Sequence, residues 1–519
     1  MNSSALVRRR SSAITLARPP FWNFRKHAVS RNFNIPYWTI IAKFFSVYQS
    51  SCYAADSKPT HDLFSYTSRR FLYNEEVRLR ERYVEFDVAA LKEAVTKHTG
   101  AEVINLMKLG EGGFNRVLAA TLENGLQVVV KIPYPLSVPR RYATASEVAT
   151  LAFLRLKGIP VPKVPLELRS NLYLPGASDP DGDCNTFCIG PIADYMFWYG
   201  QRAELKLDRG SWSDLHHYLR VIGRRELEWT KNYGLPLEKE FPYNVLLPGI
   251  IPHEHYAALL QKYLAIAPFL PKDPLDPGNQ PTIRHPAQTS RQLTFLCPPI
   301  HLTLTSIIDW QHTTVTPLLL AAGYPKMFEN PDVEPPETLE APKPPEGYDT
   351  LDIETKSQVD ELLRRRYLYY LYRVFKGARN KRHLAAFYDP VLQPRQHLVD
   401  YAGRQWNGNL ITLRGALVRM CGYWPLLPTK EECPISFTDA ELKKHSKDEP
   451  MWIDLTALVN YWRDELGGLS EEGWIRSEMF DHAMKKNKEL KKKFINDADP
   501  DEVEKVAKGW LFQDKEEFS

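Results

Sequence analysis

The stretch from Leu109 to Tyr134 constrains the fold of this chain more than any other part of the sequence. It reads LGEGGFNRVLAATLENGLQVVVKIPY. Its three early glycines are Gly110, Gly112 and Gly113. Asn124-Gly125 lies between two alternating apolar runs, which is a strong β-hairpin signal. The pattern predicts a strand, a glycine-rich turn and two further strands joined by a hairpin, with Lys131 on the last strand.

This arrangement of residue types suits a phosphate-binding site. Glycines let backbone N–H groups close over phosphate oxygens, and a strand-borne ammonium group adds positive charge at the same place. A helix is predicted over 144–157, and it places Glu147 where its carboxylate can pair with Lys131. The alternative is a tight hairpin beside an ordinary surface ion pair. The candidate cofactor-binding residues are Gly110, Gly112, Gly113, Asn115, Lys131 and Glu147.

Three segments carry a resemblance to a known family. GEGGFNRV, VVVKIPY and SEVATL, in this order, resemble the small lobe of the aminoglycoside phosphotransferase branch of the protein-kinase-like superfamily. They are most similar to its fungal mitochondrial group, the altered-inheritance-of-mitochondria protein nine type. The resemblance implies an α+β, protein-kinase-like fold of two lobes, a truncated small β-lobe and a mainly helical large lobe. It also implies ATP and Mg²⁺ as cofactors and an unidentified hydroxyl group as phosphate acceptor.

The expected domain organisation follows from that resemblance. We expect a mitochondrial transit peptide or disordered segment at 1–55, the small lobe at 64–165 and the large lobe at 187–519. The large lobe would hold a degenerate catalytic loop at 282–312 and a C-terminal helical extension. Between Pro162 and Phe187 the chain is too short for the two strands, the adenine-binding hinge and the helix that a kinase-like protein needs there. A real deletion and a wrongly spliced gene both explain that gap.

The second half of the expected site reads TIRHPAQTSRQLTFLCPPIHLTLTSIIDWQH, from Thr282 to His312. The resemblance implies a catalytic aspartate, a Mg²⁺-binding asparagine and a second Mg²⁺-binding aspartate in this region. Ala287 stands at the position of the catalytic base, and Gln292 replaces the asparagine. Asp309 is retained, so Asp309 and Gln292 are the candidate metal ligands and no catalytic residue is assigned. The alternative for Asp309 is an aspartate that caps a turn at the end of a strand.

Charge and composition exclude some classes of function. The whole chain carries a net charge of +4, but eight Lys and Arg residues precede the first acidic residue, Asp56. The remainder is therefore slightly acidic, which argues against nucleic acid as the main partner. A basic leader that lacks acidic residues is typical of a mitochondrial transit peptide. Its longest apolar run is too short and too interrupted for a transmembrane helix. Six scattered cysteines favour free thiols over a disulfide framework.

Three functions remain open from the sequence. The first is a mitochondrial pseudokinase-like protein that acts by binding a nucleotide or an unknown small-molecule or protein partner. The second is an active ATP-dependent phosphotransferase whose sequence is damaged or whose base is unorthodox. The third is a purely structural mitochondrial scaffold. The loss of a positioned base is worth about 10² to 10⁴ in rate, and it favours the first.

Overall fold

The computed structural model describes residues 63–163, 187, 189–212, 214–271, 281–284, 295–296 and 306–515. The expected transit peptide, most of the segment between Pro162 and Phe187, and the loop from 285 to 294 lie outside these residues. Within the described part, helices predominate and the sheets are small.

Near the start of the described chain lies a three-stranded antiparallel sheet. Its strands, in spatial order, are β2 (Val103–Glu111), β3 (Asn115–Leu122) and β4 (Gln127–Pro133). The turn at Asn124-Gly125 forms as predicted, because Gly125 has a φ of 78° and the Asn124 side chain accepts a hydrogen bond from the Leu126 N–H. Alternation along the central strand β3 buries Leu118, Ala120 and Leu122 completely. The even-numbered side chains of β3 therefore share one buried face, and Ala119 on the opposite face is buried as well.

Helices flank this sheet. They are α1 (Glu75–Glu81), α2 (Val88–Thr99) and α3 (Arg140–Leu156). Asp87 caps α2 by accepting a hydrogen bond from the Ala90 N–H at 2.9 Å, as the sequence predicts. A short strand, β1 (Arg69–Phe71), precedes α1.

The helical part of the chain, from residue 215 onward, is built around two packed helices, α4 (Leu215–Tyr233) and α6 (His253–Ile266). The other elements up to residue 321 are β5 (Leu237–Glu238), α5 (Tyr243–Leu246), β6 (Ile250–Ile251), β7 (Pro281–Arg284), β8 (Phe295–Leu296), β9 (Ser306–Ile307), β10 (Thr314–Pro317) and α7 (Leu318–Ala321). The later elements are α8 (Ile353–Arg379), α9 (Lys381–Phe387), α10 (Leu392–Ala402), α11 (Ile411–Tyr423), α12 (Asp439–Glu465), β11 (Trp474–Arg476), α13 (Phe480–Asp497) and α14 (Val503–Gly509). No helix in the described part is long and apolar enough to cross a membrane.

Two hydrophobic cores stabilise the helical part of the chain. The main core joins α4, α6, α10 and α11, and its fully buried residues include Leu219, Leu260, Tyr263, Ile266, Leu398, Leu417 and Met420. The C-terminal core includes Val459, Trp462, Leu466, Ile475, Trp510 and Phe512. Large aromatic and aliphatic side chains fill both cores, so burial of hydrophobic surface stabilises this helical part.

The helix predicted over 438–445 and the one predicted over 453–466 are a single helix, α12. It runs through Pro450 without ending. A proline inside a helix removes one N–H donor and costs about 3 kcal/mol. A capping box between Thr438 and Glu441 stabilises the N-terminal end of α12, and Val459 and Trp462 are buried near its C-terminal end. These interactions offset the free-energy cost of the proline. The sequence predicts a helix over 351–377 that ends at Gly377, but α8 continues two residues further, to Arg379.

The two ends of the described chain meet at a small antiparallel sheet. Strand β1 pairs with β11, with Phe71 opposite Trp474. Further along, the Asn74 N–H donates to Asp514, and the Asn74 side chain accepts from the Lys515 N–H at 2.9 Å. The segment from Arg69 to Asn74 is therefore connected directly to the C-terminal part of the chain.

Replacing Gly473 by alanine should loosen this junction. Gly473 has a φ of 83°, and an added Cβ would lie 2.7 Å from the Tyr73 ring. Gly468 is the matched control, because its φ is 82° and its added Cβ would have nothing within 4 Å. Both variants should lose about 1 kcal/mol of unfolding free energy to the unfavourable φ. Gly473→Ala should lose about 1–3 kcal/mol more to the clash, measured by urea unfolding, and equal losses would contradict the packing described here.

Candidate functional site

Lys131 and Glu147 form the ion pair that the sequence predicts. Strand β4 presents Lys131, and the second turn of α3 presents Glu147. The Lys131 Nζ atom lies 2.7 and 2.8 Å from the two carboxylate oxygens. The lysine side chain is 32% exposed and the glutamate 14%, so the ammonium group is both fixed and reachable.

The glycine-rich turn joins β2 to β3 and contains Gly110, Gly112 and Gly113. None of the three has a positive φ, and a Cβ added at Gly110 or Gly113 would meet nothing within 4 Å. At Gly112 the nearest atom would be the Asn115 carbonyl oxygen, at an ordinary 3.7 Å. The folded chain itself therefore does not require glycine at these positions. Any need for glycine at these positions would come from a bound molecule that approaches the turn from solvent.

Glu111 anchors the glycine-rich turn, and sequence reasoning missed this role. Its carboxylate accepts hydrogen bonds from the Thr67 N–H at 2.8 Å, the Ser68 hydroxyl at 2.8 Å and the Arg116 Nε–H at 3.0 Å. Burial raises the pKa of Glu111, but the hydrogen bonds from Thr67 and Ser68 and the charge of Lys108 outweigh it, so the net pKa is lowered. The carboxylate therefore stays ionised. The only sequence signal was an acidic residue between glycines.

The end of the glycine-rich turn contacts the segment that follows Asp309. The Asn115 side chain donates a hydrogen bond to the Gln311 side chain. The Phe114 ring packs edge-on against the His312 ring, with centroids 5.2 Å apart, and also contacts Tyr195. Asn115 pairs with Pro133 in the sheet, two residues beyond Lys131. The strand that carries Lys131 and the segment that carries Asp309 are therefore neighbours through Asn115.

Asp309 lies in a tight turn after β9. It is exposed and has a φ of 71°, and His312 has a φ of 57°. Side chains other than glycine rarely adopt such values, and they are concentrated at functional sites. Within the described residues no hydrogen bond is made to the Asp309 carboxylate, so it does not cap the turn there.

Trp310 fixes this turn against α3. Its ring is buried with Leu151 and Leu154, which lie one and two turns beyond Glu147. The Trp310 Nε1–H donates to the Ile307 carbonyl at 3.0 Å, and the Ile307 N–H donates to Pro160 at 2.7 Å. The helix that carries Glu147 and the turn that carries Asp309 therefore share one hydrophobic cluster.

His312 is a second group that sequence reasoning missed. Its Nδ1 atom lies 2.9 Å from the Ala193 carbonyl oxygen. A carbonyl only accepts, so Nδ1 carries the hydrogen and Nε2 of the neutral ring has a lone pair. Among the described residues that buried Nε2 atom has no hydrogen-bond partner.

Other predicted site residues lie outside the described part. Ala287 and Gln292 belong to the loop from 285 to 294, so their placement stays a prediction. Strand β4 has β3 as its neighbour in the described sheet, and the expected absence of a hinge also stays a prediction. The described residues contain no cluster of three or more His, Cys, Asp and Glu side chains that could hold a metal. One carboxylate suits an Mg²⁺ ion that arrives bound to phosphates, because such ions keep water and phosphate as most of their ligands.

Comparisons with known proteins give one long match and several weaker ones. No protein-family model matches the chain. The subtelomeric hrmA-associated cluster protein of two Aspergillus fumigatus strains is 27% identical over 510 residues, which cover 80% of this chain and 98% of that protein. The mitochondrial altered inheritance of mitochondria protein 9 of Yarrowia lipolytica is 31% identical over 116 residues, 20% of each chain.

The similar solved structures are macrolide 2'-phosphotransferases. The type I enzyme is 13% identical, with a TM-score of 0.22, and the match covers 65% of this chain and 98% of that chain. The MphH enzyme from Brachybacterium faecium is also 13% identical, with a TM-score of 0.21, and the match covers 67% of this chain and 99% of that chain. Such low TM-scores do not define a common fold. The described part of this chain is a mixed helix-and-sheet protein, similar over nearly the full length of one fungal relative and over a fifth of a mitochondrial one.

Proposed function

We propose that this chain is a mitochondrial, kinase-like protein that binds a nucleotide and has lost ordinary phosphate transfer. The observation that carries the proposal is the Lys131–Glu147 pair, held on the strand beside the glycine-rich turn. A lysine fixed by a glutamate on the following helix is the arrangement that grips nucleotide phosphates in kinase-like proteins. The mitochondrial part rests on the basic leader and on the short match to a mitochondrial relative.

Lys131, the glycine-rich turn and Asp309 would each make a different contact with the nucleotide. The Lys131 ammonium group would contact the phosphates, and the backbone N–H groups at Gly112 and Gly113 would cover them. Open space over Gly110 and Gly113 leaves room for that approach. Asp309 is exposed and has no hydrogen-bond donor among the described residues, so its carboxylate is available to hold Mg²⁺ on the nucleotide. The bound ion would neutralise phosphate charge.

Loss of catalysis rests on the sequence of the loop. Ala287 occupies the position of the group that would accept a proton from the acceptor hydroxyl, and the stretch HPAQTSRQ has no carboxylate to replace it. A positioned base contributes about 10² to 10⁴ in rate, or roughly 3 to 5 kcal/mol of barrier. We therefore infer binding without efficient transfer.

An active phosphotransferase is the second candidate, and one observation favours it. The His312 Nδ1–H donates to the Ala193 carbonyl, and the buried Nε2 atom beside the Asp309 turn has no partner among the described residues. A neutral imidazole is the commonest general base. If His312 reaches an acceptor hydroxyl, it could replace the missing aspartate.

A thermal-shift experiment tests nucleotide binding. ATP at 100 times its dissociation constant should add about 2.7 kcal/mol to the unfolding free energy, and Mg²⁺ should increase the shift. Lys131→Met should abolish most of it, because the phosphates lose their fixed cation. Lys508→Met is the matched control, since Lys508 pairs with Glu504 on the exposed face of α14. If the wild-type chain shows no shift, or if both variants lose it equally, the proposed site is wrong.

A further inference from the structure

Two cysteines lie side by side far along the chain from the candidate site. Cys421 is in the last turn of α11, and Cys433 is in the connection that leads to α12. Their sulfur atoms are 3.6 Å apart, and neither thiol is fully buried. We propose that Cys421 and Cys433 are a reversible thiol–disulfide pair, closed by a small disulfide oxidant such as oxidised glutathione. Closure would lock the connection between α11 and α12.

Contacts on both sides of Cys433 hold the connection in place. A disulfide needs its sulfurs at about 2.05 Å, so they must approach by roughly 1.5 Å, which side-chain rotation can supply. The Trp424 Nε1–H donates to the Glu431 carbonyl at 2.8 Å, which closes the first part of the connection. Ile435 and Phe437 pack on the main core. Bond formation therefore requires no refolding of the connection.

Lys262 lies beside the pair, and its positive charge partly offsets the burial that disfavours a Cys421 thiolate. Its ammonium group donates to the Ser436 carbonyl and lies 4.1 Å from the centre of the Phe437 ring. Burial and the neighbouring Cys433 raise the pKa of Cys421 to about 12, and the Lys262 charge acts in the opposite direction. The reaction should therefore accelerate as the pH rises, because only the thiolate attacks a disulfide.

The proposed step balances as a double thiol–disulfide exchange. The Cys433 thiolate attacks one sulfur of oxidised glutathione and releases the first glutathione thiolate. The Cys421 thiolate then attacks the Cys433 sulfur of the mixed disulfide and releases the second. The two protein thiols lose two protons and two electrons, and the oxidant is reduced to two thiols. An excess of reduced thiol reverses both exchanges.

Peptide mapping tests the proposal. The full chain is treated with oxidised glutathione without denaturant, then alkylated with iodoacetamide and digested. We expect a linked peptide pair containing Cys421 and Cys433, two hydrogen atoms lighter than the separate peptides, and its loss after dithiothreitol. Cys433→Ser is the control, which should give no linked pair. A chain in which Cys52, Cys184, Cys188 and Cys297 are replaced by serine should still form the link. Mapping of the natural chain keeps the test valid if that variant fails to fold.

Three results would overturn the proposal. Both thiols could remain open to alkylation after oxidation. Each could carry glutathione separately, with no linked peptide. The link could form only after urea is added, which would place the two sulfurs apart in the folded chain.

Discussion

Replacing Glu226 by glutamine should lower the free energy of unfolding by about 3–5 kcal/mol. Glu226 is fully buried and accepts hydrogen bonds from Arg202 and Arg225, at 2.5 and 2.7 Å. Both guanidinium groups are almost fully buried as well. Removing the one negative charge between them leaves two buried cations without compensation, and water cannot replace it at that depth. Urea unfolding of the variant measures the loss.

The control for this prediction is an exposed ion pair in the same helical part of the chain. Asp400 and Arg404 are each about 60% exposed, and they lie one turn apart along the chain. Asp400→Asn should change stability by about 0–1 kcal/mol, because water screens that pair. A similarly small change in the unfolding free energy of Glu226→Gln would show that the Arg202–Glu226–Arg225 group does not stabilise the fold.

Replacing Trp510 by alanine should cost about 3–5 kcal/mol of unfolding free energy. Trp510 is completely buried in the C-terminal core, where its ring stacks with Trp462 at 5.6 Å and with Phe241 at 6.1 Å. Its Nε1–H also donates to the Asn487 side chain at 2.8 Å. The variant loses this packing and leaves a cavity that the surrounding rings cannot fill.

The effect of Trp510→Ala should extend to strand β1 near the start of the described chain. Strand β11 lies in the C-terminal core and pairs with β1, and the segment before β1 holds Glu111 through Thr67 and Ser68. Amide hydrogen exchange should therefore speed up in both β11 and β1. Tyr461→Ala is the control, because Tyr461 is 59% exposed beside Trp462 and should cost less than about 0.5 kcal/mol. A change confined to α13 and α14 would contradict the coupling of the two chain ends.

The sequence predicted the local structure that depends on short-range chemistry. The Asn124-Gly125 turn, the Asp87 cap and the placement of Lys131 opposite Glu147 each follow from residues that are close in the chain. The remaining elements depend on tertiary packing between residues that are distant in the chain. Helix α12 continues through Pro450, because a capping box fixes its first turn and Val459 and Trp462 are buried near its other end.

The contacts that sequence reasoning missed join distant parts of the chain. Glu111 is held by residues more than 40 positions earlier, and His312 by a carbonyl group 119 positions earlier. No periodicity or motif signals such contacts. The loss of the catalytic base at Ala287 and the role of Gln292 as a metal ligand remain predictions from the sequence.

The proposed binding of a nucleotide without efficient phosphate transfer is tested by measuring binding and turnover on one preparation. Calorimetric titration with ATP and Mg²⁺ gives the affinity, and ATP consumption in the presence of candidate alcohols gives the rate. We predict saturable binding that Lys131→Met abolishes, with turnover about 10² to 10⁴ below the 1–100 s⁻¹ of ordinary kinases. Turnover in that ordinary range, lost in Lys131→Met and in His312→Gln, would contradict the proposal and establish an active phosphotransferase with a histidine base.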